Sequence, residues 1–202
     1  MKGIVVAGIG TEVGKTVASA VLVESLQADY WKPIQAGDLH NTDSDKVNAL
    51  ISNAQTIIHP EAFRLTQPMS PHAAADIDNI KINAEALIIP NTKRPLVIEL
   101  AGGLMVPINH SETNMDLIKR WNLPVVLVVN FYLGSINHTL LSIKMMQEAE
   151  VLIKGLLFNG EINPESKEVI LEMTDCNDLG TIPKANKLDK SFVLEAAKTI
   201  KL

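Results

Sequence analysis

The stretch Gly8-Ile9-Gly10-Thr11-Glu12-Val13-Gly14-Lys15-Thr16 decides how the rest of the chain is read. Directly before it, Gly3 to Ala7 is an apolar, β-branched run of the kind that forms a strand buried on both faces. Directly after it, Lys15 to Gln27 carries a helical pattern. Strand, glycine-rich turn and helix make a phosphate cradle, because the glycines let backbone N–H groups curl around phosphate oxygens and the helix N-terminus adds its partial positive charge. Lys15 is placed to neutralise β- and γ-phosphates and Thr16 to offer a hydroxyl to Mg²⁺, so a nucleoside triphosphate is implied. The strict pattern G-x-x-x-x-G-K-[ST] needs a glycine where Ile9 stands, so the loop is a variant. Glu12 sets an acid beside the phosphates, which it repels; it either turns outward as a solvated helix-start residue or faces a cationic substrate.

Outward from the loop, buried-strand runs recur at Leu96 to Leu100, Val125 to Val129 and Ile153 to Phe158. Helical patterns lie between them at Ser44 to Ser52, Thr113 to Trp121 and Ile136 to Val151. Alternating strands and helices predict an α/β fold with a mostly parallel sheet covered by helices on both faces. Tyr30 to Ile34 and Asp178 to Ile182 are further strand candidates, and Pro164 opens a polar helix running to about Thr174. The segment from His59 to Asp78, with Pro60, Pro68 and Pro71, reads as a functional loop with short helices. No repeat, low-complexity tract or linker divides the chain, so residues 1–202 are expected to form one domain.

Composition narrows the class. With 202 residues, 47% of them hydrophobic and 20% charged, the chain is long enough for a sizeable core and lies outside disordered composition. No apolar run approaches the roughly 18 residues of a membrane-spanning helix, and the start lacks a secretory signal pattern, so a cytoplasmic protein with no membrane partner is expected. The single cysteine, Cys176, forms no internal disulfide, and no Cys/His spacing suggests zinc. Lys and Arg number 18 against 23 Asp and Glu, a formal charge of −5, which gives no electrostatic case for gripping nucleic acid.

In such sheets ligands sit outside the carboxyl ends of the strands, so residues just after the apolar runs are the candidates. Glu99 ends Leu96-Val97-Ile98 and precedes Ala101-Gly102-Gly103; it reads as a Mg²⁺ anchor or as a solvated strand end. Lys32, fixed by Pro33, reads as an aimed ammonium or an ordinary edge lysine. Asp45 reads as a functional acid of this edge or, since Thr42-x-x-Asp45 precedes Val47, Leu50 and Ile51, as part of a capping box that merely starts a helix. At Leu133-Gly134-Ser135-Ile136-Asn137-His138 a helix start offers N–H groups to an anion such as a carboxylate, or is simply capped by Ser135 or Asn137. His138 and Cys176 are given no catalytic role, and Met145-Met146 reads as core.

With these residues in hand, nearly the whole chain resembles the dethiobiotin synthetases. The resemblance rests on Gly8, on Thr11 to Thr16, on Lys32-Pro33-Ile34-Gln35, on Ser44-Asp45, on Ser70-Pro71-His72, on Glu99 with Ala101-Gly102-Gly103, on Leu133-Gly134-x-Ile136-Asn137-His138 and on Asn159. It implies a P-loop NTPase-like three-layer sandwich and a homodimeric ligase of biotin biosynthesis. Such an enzyme converts 7,8-diaminononanoate, CO2 and ATP into dethiobiotin, ADP and phosphate through a carbamate and a carbamic-phosphoric anhydride. Residue by residue, the resemblance implies Mg²⁺ held by Thr16, Asp45 and Glu99, and chemistry carried by Lys15, Lys32, Thr11 and Glu12. It implies ATP against Glu12, Val13, Gly14, Lys15, Thr16, Val17, Asp45, Glu99 and Gly102, with Asn159 and Pro183 at the adenine. The substrate would meet Thr11, Glu12, Lys32 and Pro71, with Gly134, Ser135, Ile136 and Asn137 receiving its carboxylate across the dimer interface. Glu12 would then face the diamine.

The chain departs from that family at Ala36, where a Ser or Thr is usual, at Leu100, at Ile9-Gly10 and near Lys187. These changes touch substrate contact, nucleotide selectivity and rate, not reaction class. Gly10 also stands where partner-switched ATPases carry a signature lysine, which weakens the reading as a nucleotide-driven switch. The only arginines are Arg64, Arg94 and Arg120, outside any loop motif, which argues against a nucleoside monophosphate kinase, and Cys176 supplies no glutaminase nucleophile for an amidoligase.

Overall fold

The computed structural model describes residues 3–202. In chain order its elements begin with β1 (Ile4–Gly8), α1 (Lys15–Leu26), β2 (Asp29–Trp31), β3 (Ile34–Ala36) and α2 (Asp43–Leu50). The middle segment contributes β4 (Ile58–His59), β5 (Phe63–Leu65) and α3 (Pro71–Asp78), followed by a single 3₁₀ turn at Ala84–Ala86. Then come β6 (Leu96–Gly103), α4 (Asn114–Trp121), β7 (Val125–Asn130), α5 (Ser135–Glu148), β8 (Ile153–Asn159), α6 (Pro164–Thr174), β9 (Asp178–Ile182) and α7 (Lys190–Ala197).

The main sheet has seven strands in the order β4-β2-β6-β1-β7-β8-β9, and its neighbouring strands pair in parallel. Every residue of β1 is buried. Successive side chains of a strand point to opposite faces, so burial throughout means that both faces are covered, as the apolar runs imply. On one side α1 packs with α2 and α7, while α5 packs with α6 and against β7 and β8. The result is the expected three-layer α/β sandwich. From β6 the chain passes over β1 to continue as β7, so the winding reverses around β1 and the carboxyl ends of β1 and β6 open a crevice.

Three departures from the sequence reading bear on the site. The run Tyr30 to Ile34 is not one strand: it breaks at Lys32-Pro33, and β3 leaves the main sheet to pair with β5 in a separate two-stranded sheet. Pro33 has no N–H for a ladder, and its carbonyl instead accepts from the Ala62 and Phe63 amides, which ties the His59 to Asp78 segment to the end of β2. That segment is more ordered than a loop, since it supplies β5 and α3. The C-terminal helix α7 was not anticipated, although Asp189 caps it by accepting from the Phe192 amide and Val193 and Ala196 bury one face. Among the described residues no helix is long and apolar enough to cross a membrane.

Candidate active site

The phosphate loop joins the carboxyl end of β1 to the N-terminus of α1. Gly14 has φ +90, and a Cβ there would stand 2.0 Å from the Asn159 Nδ2, so only glycine fits. Asn159 reaches across from the end of β8, and its amide donates to the Val13 carbonyl at 3.0 Å, bracing the loop. Glu12, exposed, holds a left-handed φ of 58, a strained conformation for a side-chain-bearing residue. The Lys15 ammonium, buried, donates to the Gly10 carbonyl at 2.8 Å and so folds back over the loop it serves. Burial lowers its pKa to about 8, despite the opposing pull of Glu99.

Beside it lies a dense knot of charge. Glu99, 1% exposed at the carboxyl edge of β6, accepts from the Thr16 hydroxyl and from the Lys32 ammonium through Oε1, each at 3.0 Å. Its Oε2 accepts from the Tyr30 hydroxyl at 2.9 Å. The Lys32 ammonium also pairs with Asp43 at 2.7 Å. Burial opposes charge on Lys32, but Glu99 and Asp43 outweigh it and hold the ammonium above the ordinary lysine range. Burial likewise works against Asp43, yet Lys32 keeps its carboxyl below the ordinary range, and the nearby Thr16 hydroxyl works in the same direction. Tyr30, wholly buried beside Glu99, is pushed well above its usual pKa, first by desolvation, so it stays a proton donor.

The acid that joins Lys32 and Glu99 in this cluster is Asp43, whereas Asp45, expected there, lies apart from it. Asp45 is exposed, and its Oδ2 accepts from both the backbone amide and the hydroxyl of Thr42, while its own amide donates to the Thr42 hydroxyl. This is a complete capping box, and of the two meanings that Thr42-x-x-Asp45 left open it is the one realised. Position N1 of a helix points elsewhere than N3: Asp43 faces Lys32, and its amide is fixed by the buried Gln35 Oε1 at 3.2 Å.

The other candidates fall into two groups. Thr11 and Glu12 line a cavity of about 470 Å³ together with Asn130, Tyr132 and His138, whose Nδ1 meets the Tyr132 hydroxyl at 2.8 Å. Tyr132 and His138 were thus missed as lining residues. Pro71 is buried at the first position of α3, whose amide at His72 donates to the Pro107 carbonyl. At the opposite end of the crevice, Asn159 pairs in register with Ile182, which places Pro183 next to it. Gly102, with φ +75, turns the end of β6, Val13 is buried beneath the loop, and Val17 packs half-buried on the first turn of α1. At the start of α5, Gly134 has φ 100 and Ser135 is buried with its amide already donating to the Tyr132 carbonyl. The following amides, at Ile136 and Asn137, lie in the first turn, where no intrahelical carbonyl is available to them.

Fold and site together define a nucleotide-handling α/β protein built on a phosphate-binding loop, with buried lysines and acids beside that loop. A family model described as an AAA domain matches residues 2–191. The ATP-dependent dethiobiotin synthetase of Christiangramia forsetii is 48% identical over 197 residues, covering 98% of this chain and 95% of that protein. That of Cytophaga hutchinsonii is 44% identical, covering 96% and 94%. The chain belongs to the family of ATP-dependent dethiobiotin synthetases. Solved structures add the fold. A plasmid partition protein of Borrelia burgdorferi bound to AMPPNP superposes with a TM-score of 0.57 at 12% identity, covering 98% of this chain and 95% of that one. The septum site-determining protein MinD of Pyrococcus horikoshii, complexed with Mg-ADP, gives 0.54 at 15% identity, covering 96% and 86%.

Proposed function

We infer that this protein is a C–N-bond-forming ligase that uses ATP to carboxylate 7,8-diaminononanoate with CO2 and close it to dethiobiotin, in biotin biosynthesis. The observation that carries the mechanism is the Lys32 ammonium held between Asp43 and Glu99, next to Thr16 and Lys15. Carbamate formation and phosphoryl transfer bring anions together, and a site of buried, paired cations is what lowers that repulsion.

One amine of the substrate attacks CO2 in its neutral form, forming a C–N bond and releasing a proton, and leaves a carbamate anion. Lys32 and Lys15 neutralise that anion and the γ-phosphoryl group as a carbamate oxygen attacks phosphorus and ADP departs. The second amine, held on the same carbon chain, attacks the activated carbonyl; phosphate leaves, a proton is lost and the cyclic urea closes with the advantage of proximity. Glu12 and Thr11 at the cavity with Tyr132 receive the diamine, and Pro71 bounds the substrate. Nucleotide lies along Val13 to Val17 and Gly102, with adenine towards Asn159 and Pro183.

Thr16, Asp43 and Glu99 are the residues that would hold Mg²⁺. The donors fit it: a hydroxyl and two carboxylates are hard oxygens, and Mg²⁺ is usually bound by one or two carboxylates together with phosphates and water. When bound, it would neutralise negative charge on the nucleotide's phosphates.

The protein acts as a homodimer in the cytoplasm. Leu133 is 103% exposed immediately before the α5 start, and Tyr132 and Leu141 are exposed around it. This apolar rim supports α5 as the face that carries Ile136 and Asn137 to the partner's substrate carboxylate. The test is size-exclusion chromatography with light scattering, then mixing of a Lys32→Ala chain with an Asn137→Pro chain, which loses the backbone N–H in the first turn of α5. If sites form across the interface, the mixture regains product formation that neither variant has alone. A monomeric, fully active protein would overturn the shared site.

A further inference from the structure

Two residues bind Glu99 from the carboxyl end of β2: Tyr30 within the strand and Lys32 just past it. Tyr30 and Lys32 stand two apart on one extended run, so their side chains share a face, while Trp31 between them points away and donates its indole N–H to the Pro60 carbonyl. The parallel register sets Tyr30 against Val97 and Trp31 against Ile98, which brings Glu99 level with the Lys32 side chain. Lys32 then binds Oε1 of Glu99 and the Tyr30 hydroxyl binds Oε2. Tyr30 is wholly buried, and Glu99 is its hydroxyl's hydrogen-bond partner.

We propose that Tyr30 is a positioning residue for Mg²⁺: its hydroxyl pins Oε2 of Glu99, so that the carboxylate keeps Oε1, the oxygen already turned to Thr16 and Lys32, in a fixed direction for the cation beside Thr16. The inference rests on the reading of Glu99 as a Mg²⁺ anchor. A buried carboxylate with one free oxygen rotates about its terminal bond and can take up a cation in several geometries. With Oε2 engaged by a rigid aromatic donor, that freedom is removed before the metal arrives. Partners of this kind, which touch a ligand and not the metal, typically change metal affinity by about 10- to 100-fold when removed.

The experiment compares ADP affinity with Mg²⁺ and with EDTA, by calorimetry, for the parent and Tyr30→Phe. The ring and its packing are kept in the variant. The parent binds ADP more tightly with Mg²⁺; in Tyr30→Phe that enhancement falls by at least about 10-fold, while affinity in EDTA changes by less than about 2-fold. An undiminished enhancement, with only a lower melting temperature, would overturn the proposal and leave Tyr30 a packing residue. A parent with no Mg²⁺ enhancement at all would instead overturn the reading of Glu99, and the proposal with it. Should Tyr30→Phe fail to fold, the chain's 2 tyrosines allow a second readout. Protein grown with 3-fluorotyrosine gives two ¹⁹F signals, of which Tyr132→Phe removes one. The Tyr30 signal shifts when Mg²⁺ is added to the ADP complex, and a signal that ignores Mg²⁺ contradicts the proposal.

Discussion

Asp29 and Lys32 stand at the two ends of one short strand, both charged and both buried, yet they are held in different ways. Asp29, 0% exposed at the amino end, accepts from the Ile57 amide at 2.8 Å, from the Thr92 hydroxyl and from Arg94 at 3.5 Å. Its partners are a backbone group and residues of the loop that leads into β6, so it stitches the sheet edge together. Lys32, 4% exposed at the carboxyl end, is held by two acids that lie beside the phosphate loop. Those acids can exchange an ammonium for another cation, and the ammonium can exchange a carboxylate for a phosphate or carbamate oxygen. A buried charge is architectural when fixed backbone and loop groups satisfy it, and chemical when its partners are themselves exchangeable ions.

The sharpest way to break this contrast is Lys32→Ala. Product formation should fall by roughly a hundredfold to a thousandfold, the scale for losing one preorganised charge at a reacting oxyanion, while nucleotide binding persists. Equal loss of both, measured by product mass and by calorimetry, would make Lys32 a nucleotide contact only. Next in size is Asp43→Asn, which should weaken Mg²⁺-dependent nucleotide affinity by about 100-fold, at least the scale known for residues one shell further out. If Mg²⁺ dependence survives in Asp43→Asn and vanishes in Asp45→Ala, the assignment of the two acids is reversed.

At the other end of the strand, Asp29→Asn should cost about 2 kcal/mol of stability, as a buried donor and a charged partner lose their acceptor. Turnover by the folded fraction should not change; a selective loss of kcat in urea-stable protein would erase the distinction. The smallest effects belong to the helix caps. Asp45→Ala and Asp116→Ala should each cost about 1 kcal/mol and leave Mg²⁺ affinity alone. Asp116 accepts from the Thr113 amide and hydroxyl at 2.7 and 2.8 Å, which holds its carboxyl below the usual 3.8. A depressed carboxylate stabilises the fold above its unfolded pKa and loses that contribution as pH falls through the folded value. The gap between parent and Asp116→Ala in urea melts should therefore be full at pH 7 and shrink below about pH 3.8.

What could be read in advance follows from how local each signal is. The loop from Gly8 to Thr16 and the runs of β1, β6, β7 and β8 are legible because glycine placement and unbroken apolar stretches are properties of neighbouring residues. Asp43 was not separable from Asp45. Both acids occupy the first turn of α2, and which of them turns inward depends on Gln35 and Lys32, residues of β3 and the strand break. Tyr30 was hidden for the same reason: its bond to Glu99 spans 69 residues and exists only once β2 and β6 are in register. The split at Pro33 was foreseeable, since a proline cannot donate to a central ladder. So was α7, from Asp189 followed by Phe192, Val193 and Ala196.

The central claim is that the Lys32, Asp43 and Glu99 cluster spends ATP only when a diamine and CO2 are present to receive the phosphoryl group. Phosphate release from Mg·ATP, measured with and without 7,8-diaminononanoate and bicarbonate and with the product identified by mass, tests it directly. The account predicts release that requires both additions and yields dethiobiotin in equal amount. Release that ignores the diamine would contradict it and leave an ATPase driven by some other partner.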